Sequence, residues 1–226
     1  MVKIVFTPDW FLGKDILIEF FSFVVLLIFS ILSIKGYRLK KNKGLLGLGI
    51  GFGLIALARL SSVFTKLVLY YDSDPVQAVG QAIMTSQIIS SLDIFYYAGF
   101  FFYSFLTLMG LFVIYKIPHK KVYEGDYVLI LYFIVISSIL SKDLFYLFHL
   151  TAFLLLVLIV INYLKIYQKN GFGNTLLLII AFSILALSQL IYILSKVGVF
   201  FALSNIMELI SYTILLFLII RIIKHG

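Results

Sequence analysis

The chain has 226 residues, of which 63% are hydrophobic and 12% charged. A water-soluble domain is about half apolar and about a quarter charged, so this composition excludes a soluble globular fold of ordinary surface. There are no cysteines, which excludes disulfides, thiolate metal centres and cysteine nucleophiles. The formal net charge of +8 raises nucleic acid as a partner, but the positions of the cations point to a membrane instead.

A crossing helix needs about 20 apolar residues. Runs of this kind lie at 14–35, 45–71, 92–116, 126–141, 143–166, 174–196 and 199–222. The fourth is the shortest, and it becomes long enough when Lys121–Asp126 continues it to the interface. None alternates polar and apolar residues as a barrel strand does. In lipid a bare backbone group has no partner, so every run is expected to be a helix. The expected fold is therefore all-α, a single-domain polytopic membrane helix bundle of about seven transmembrane helices. The first run, Ile16–Ile34, is too long for the apolar part of a cleaved signal and lacks its basic and small-residue flanks, so it is expected to be retained. Pro8, Pro75 and Pro118 all fall outside the runs, which predicts unbroken helices.

Lysine and arginine set the orientation. Lys35, Arg38, Lys40, Lys41 and Lys43 separate runs one and two; Lys116, Lys120 and Lys121 separate three and four. Lys165 and Lys169 separate five and six, and Arg221 and Lys224 follow run seven. All of these share one side when the N-terminus is outside and the C-terminus inside, and of the acidic residues only Glu124 and Asp126 join them. This is the bias of cytoplasmic loops toward cations. The segment 75–91 is too short for another crossing, and counting it would place Lys120 and Lys121 outside. It is expected to lie at the interface or extend the third span, with Ser90 and Asp93 as a capping box that restarts the helix. Trp10 and Phe11, with Tyr70, Tyr71, Tyr96 and Tyr97, suit an outer interfacial belt.

The second run opens with Gly47, Gly49, Gly51 and Gly53, two overlapping small-xxx-small pairs that let a neighbouring helix approach closely. Packing within the chain is the expected use. No Lys-Ser/Thr follows the glycines, so they form no phosphate loop.

Intramembrane polar residues gather in the outer half. Asp15, Glu19 and Ser22 share a face of the first run, and Arg59, Ser62 and Lys66 share a face of the second. Asp93 opens the third, Asp143 and His149 lie early in the fifth, and Gln189 lies late in the sixth. Asn205, Glu208 and Tyr212 share a face of the seventh. At 1.5 Å per residue Glu208 sits about 13 Å into its run and Arg59 about 18 Å below the outer end of its own. A charge at such depth costs several kcal/mol, so it faces a cavity or a counter-charge. Arg59–Glu208 is one expected pair, and Lys66 with Glu19 or Asp15 the other. Asp15, Glu19, Arg59, Lys66, Asp93, His149, Gln189, Asn205 and Glu208 are thus the candidates for an outward-facing ligand or ion pocket. The same groups read equally well as structural glue between helices. One intramembrane histidine with scattered carboxylates does not make a metal site, and His119 and His225 fall on the cytoplasmic side. No metal, cofactor or catalytic constellation is expected, and hence no enzyme.

Seven crossings with the N-terminus outside resemble microbial rhodopsins and receptor-type bundles. A retinal protein needs a lysine in the middle of its last helix, whereas the seventh run is followed only by Lys224 past its end, so no retinal is expected. Small seven-helix sugar transporters carry membrane prolines that this chain lacks. The opening Phe6-Thr7-Pro8-Asp9-Trp10-Phe11, followed by Asp15 and Glu19, resembles the start of an uncharacterised group of small archaeal multi-pass membrane proteins. That resemblance implies a prokaryotic plasma membrane and carries no activity.

The expected function is that of a sensor or receptor-like seven-helix bundle in the plasma membrane. The chain ends about four residues beyond the seventh run, so output is expected to need a protein partner at the basic cytoplasmic loops. The partners expected are thus the lipid bilayer and such a protein, not nucleic acid. One alternative is a small-solute or ion/proton transporter using Glu19, Asp93 and Glu208 opposite Arg59. The other is an accessory or assembly subunit of a membrane complex. Reporter fusions in the Lys40–Lys43 turn and the Lys120–Lys121 turn are expected to report the cytoplasm from both; opposite faces would overturn the helix tally.

Overall fold

The structure, a computed structural model, describes residues 9–11, 13–70, 85–118, 124–140, 144–194 and 198–225. Most of the expected interfacial segment 75–91 lies outside these residues, as do Phe6–Pro8, Tyr71, His119, the Lys120–Lys121 pair and Asp143. So do the side chains of Tyr70, Asp93, Tyr96, Glu124, Asp126 and His225.

A short 3-10 turn, Asp9–Phe11, precedes seven α-helices: α1 (Lys14–Lys40), α2 (Lys43–Tyr70), α3 (Thr85–Lys116), α4 (Glu124–Leu140), α5 (Phe145–Asn170), α6 (Gly173–Ile193) and α7 (Gly198–His225). The described residues are all-helical, with no strand. All the helices except α4 are long and apolar enough to cross a bilayer; the apolar stretch of α4 described here is Val128–Leu140, about 20 Å at the helical rise.

Helix ends differ from the apolar runs where polar residues continue the helix. α1 runs on to Lys40, because lysine and arginine in a last turn favour the carbonyl end of the helix dipole. It stops where Lys41 takes a left-handed conformation, φ 54°, and its N–H donates to the Tyr37 carbonyl at 2.7 Å. Gly171 ends α5 in the same way, at φ 64°, a conformation that costs glycine nothing. The capping box expected at Ser90 and Asp93 does not restart a helix, since α3 runs unbroken from Thr85. The residues ahead, Thr85–Ser91, contain neither glycine nor proline. Nothing local breaks the ladder, so a serine three residues before an acid makes no terminus.

Around the bundle the neighbours are α1, α2, α3, α5, α6, α7 and α1 again, a closed ring of the six long helices, with α4 packed against α3 and α5. The first turn of α5 packs beside the middle of α3, with the rings of Phe100 and Phe145 at 5.9 Å and those of Tyr103 and Phe148 at 5.4 Å. The chain must therefore return from the end of α3 to the start of α5, and α4 covers that path. Late in α4, Ser137 Oγ donates to Thr151 Oγ1, early in α5, at 3.0 Å. α1 and α7 end together, where Lys40 Nζ donates to the Ile222 carbonyl at 2.9 Å.

Burial is inverted relative to a soluble protein. On α1 the buried stripe includes Asp15, Glu19, Ser22, Ser30 and Ser33, while Leu17 is 69% exposed and Phe21 55%. Water would penalise that outer face at about 25 cal/mol per Å²; hydrocarbon does not. This is the construction of a multi-pass membrane protein. Inside the ring, Phe52 meets Phe29 edge-on at 4.5 Å and stacks on Phe182 at 6.1 Å, and Phe182 stacks on Tyr163 at 5.8 Å. The centre is filled with side chains at this level.

The glycines of α2 are spent within the chain, on two different neighbours. A Cβ on Gly49 would meet Ile34 at 2.8 Å, and one on Gly53 would meet Ser30 Oγ at 3.0 Å, both on α1. A Cβ on Gly51 would instead meet Ile114 of α3 (2.6 Å), and one on Gly47 would meet Ile117, the residue after α3 (2.7 Å). The Gly51 position is the tightest in kind, because the Gly110 backbone carbonyl stands 2.9 Å away and cannot rotate aside. Gly51→Ala is expected to cost about 1–3 kcal/mol, the range for overpacking, whereas Gly173→Ala, with nothing within 4 Å of the new Cβ, should leave the melting temperature unchanged. Equal melting of the two variants in detergent would overturn this assignment.

Candidate functional site: a buried ion-pair network

The polar stripe of α2 places Arg59, Ser62 and Lys66 along one face, three and four residues apart. Each reaches a different neighbour. Lys66 Nζ donates to Asp15 Oδ2 and to Glu19 Oε1 of α1, both at 2.8 Å, so the two expected alternatives occur together. Ser62 Oγ donates to the other oxygen of Glu19 at 2.8 Å. The ammonium of Lys66 also lies 5.4 Å from the centroid of the Phe201 ring on α7.

Seven residues deeper, Arg59 Nη2 donates to Glu208 Oε2 of α7 and to the Tyr212 hydroxyl, the latter at 3.3 Å. Its guanidinium lies 5.4 Å from the Tyr103 centroid and 5.9 Å from that of Tyr212. Flat aromatic faces beside a delocalised cation add attraction without needing a further carboxylate. Gln189 of α6 donates through Nε2 to Glu208 Oε1 at 2.6 Å, and its Oε1 stands 2.7 Å from His149 Nδ1 of α5. Arg59, Glu208, Gln189 and His149 thus form one chain of contacts across α2, α7, α6 and α5.

The arrangement is closed. Arg59 and Glu208 are each 2% exposed and Asp15 is fully buried, whereas Lys66, at 14%, is the edge that reaches the surface. The polar groups of these residues face one another. Asn205 is buried but bonds back to its own helix, Nδ2 to the Phe201 carbonyl at 3.0 Å, so it does not join the pairs. Asp93 cannot be placed with them, since its side chain lies outside the described residues. Among the described residues no group of three or more metal-ligating side chains gathers.

Several members were invisible from sequence. Tyr103, one turn or two into an aromatic stretch of α3, carries no signal separating it from its neighbours. The His149–Gln189 contact joins two helices whose polar residues each sit one turn from an end, and only that shared depth could have suggested it. Comparison with family models, with curated proteins and with solved structures finds no match to the chain.

Removing one partner of a buried pair strands the other. Arg59→Leu is expected to destabilise the bundle by about 3–5 kcal/mol, while Arg59→Leu combined with Glu208→Leu recovers most of that loss. Unfolding of the single and double variants in detergent micelles measures the coupling; simple additivity of the two single losses would show that the pair does not act as one unit.

Proposed function

We propose that the chain is a plasma-membrane protein of seven crossings, with its N-terminus outside, working as a sensor or receptor-like bundle whose buried network is the resting lock. The observation that carries this reading is the double attachment of α7. Its outer half is held through Glu208 to Arg59 and Gln189, and its inner end through the Ile222 carbonyl to Lys40. Glu208 and Ile222 are 14 residues apart, about 21 Å of rigid helix. A ligand that breaks the outer pair would shift α7, and the shift would reach the inner end through that rod.

The seven-crossing reading rests on the distribution of cations and on α4 as the return path between α3 and α5. At the cytoplasmic end Lys35, Arg38, Lys41, Lys43, Lys165 and Lys169 are exposed. This rim suits anionic headgroups and an acidic partner protein that would read the movement. A transporter is supported less well. Phe29, Phe52 and Phe182 fill the interior about two turns below Arg59, and Ser30, Ser104 and Thr107 spend their hydroxyls on nearby carbonyls. Alternating access needs a polar route there.

The dryness of the pairs favours a second reading, in which the network only holds helices in register and the chain is an accessory subunit. The absence of native cysteine allows spin labels at Lys41→Cys and Lys224→Cys. In the lock reading, Arg59→Leu broadens or shifts the distance between these labels in nanodiscs. An unchanged distribution accompanied only by a lower melting temperature would leave the accessory reading standing and remove the lock.

A further inference from the structure

In the chain of contacts from Arg59 to His149, two buried polar atoms have no hydrogen-bond partner among the described residues: His149 Nε2 and Arg59 Nε. Their polarity follows from the contacts already described. Glu208 is a carboxylate beside Arg59, so it only accepts. The Gln189 atom facing it at 2.6 Å must therefore be the amide nitrogen, because the amide oxygen in that place would set two acceptors against each other. This fixes Gln189 Oε1 toward His149 Nδ1 at 2.7 Å. An amide oxygen cannot donate, so Nδ1 carries the hydrogen. In the neutral ring Nε2 then presents a bare lone pair.

The imidazole cannot turn to satisfy that lone pair. Phe145 and Phe148 pack against it edge-on at 4.4 Å and 4.8 Å, and Tyr192 stacks on it at 4.6 Å and 20°. His149 is 1% exposed. A buried acceptor left empty forfeits the hydrogen bond that water gave it in the unfolded chain. Arg59 Nε is the opposite orphan, a donor, attached through the same carboxylate.

We propose that His149 is held as its Nδ1–H tautomer and that Nε2 is the acceptor of a buried site for a small hydroxyl compound, water or an alcohol. A hydroxyl is the group that serves both orphans, since its O–H donates to Nε2 and its lone pairs accept from Arg59 Nε–H, whether one molecule or two are present. An ammonium or metal cation would suit Nε2 less well beside the guanidinium, and an anion could not donate. The proposal names the ligand class for the network read above as a receptor lock and rests on that reading for its function. Its test does not.

His119→Asn and His225→Asn leave His149 as the single histidine. With the ring nitrogens labelled with nitrogen-15, solid-state NMR of the protein in liposomes at neutral pH reads the tautomer and the neighbours of each nitrogen. The expected result is a protonated Nδ1, an unprotonated Nε2, and magnetisation transfer to Nε2 from exchangeable protons. Transfer from water alone identifies water as the occupant; transfer that appears only after ethylene glycol is added identifies a solute. Gln189→Leu should release the tautomer, so that an Nε2–H population appears. A native ring protonated at Nε2, or an Nε2 lone pair that receives transfer from neither water nor glycol, overturns the proposal. Either result leaves the spin-label test of the lock untouched, and an unchanged label distance leaves the tautomer untouched.

Discussion

Hydrocarbon offers no solvation to an ion, and the bundle is organised around that constraint. Arg59 lies far enough from either end of α2 that its guanidinium has no short route to water, so Glu208 must come to it. This requirement sets the rotation of α2 and of α7 about their own axes and brings the two helices to one level. Gln189 and Tyr212 complete the coordination of the pair. The Lys66 group, nearer the surface, repeats the logic against α1 with two carboxylates instead of one.

The rest of the structure accommodates those contacts. α2 is central because it serves both charge clusters and both glycine contacts. Small residues in its first half let α1 and α3 approach closely, which compensates for the lack of a hydrophobic drive between helices in lipid. The second half of α2 is held by charge and its first half by close backbone approach, with the aromatic cluster of Phe29, Phe52 and Phe182 at the level of the glycines. α7 is held at two levels, through Glu208 and Ile222.

Inverted burial also explains why the interior, not the surface, holds the chemistry. Serines and threonines deep in the helices mostly bond to carbonyls one turn back, as Thr107 does to Tyr103 and Ser138 to Ile134. Such groups are content locally and make no demand on neighbouring helices. Arg59, Lys66, His149 and Gln189 reach partners on other helices, and they tie helices together alongside a few hydroxyls such as Ser62 and Ser137.

Much of this architecture was legible before any coordinates. Long apolar runs must become helices because lipid leaves the backbone no other partner, and that is a local rule. The same rule marks a charge inside a run as one that has to be neutralised, so Arg59–Glu208 could be anticipated from depth alone. The capping box at Ser90 misled because a cap is defined by what precedes it as much as by its own residues. The sequence by itself determined where the helices lie and which side chains must be kept from lipid. Only the tertiary structure decided that Lys66 holds both Asp15 and Glu19, that Tyr103 and Tyr212 flank Arg59, and that His149 reaches Glu208 through Gln189. Those contacts depend on which helices are neighbours and how each is rotated, and packing across the whole ring settles that.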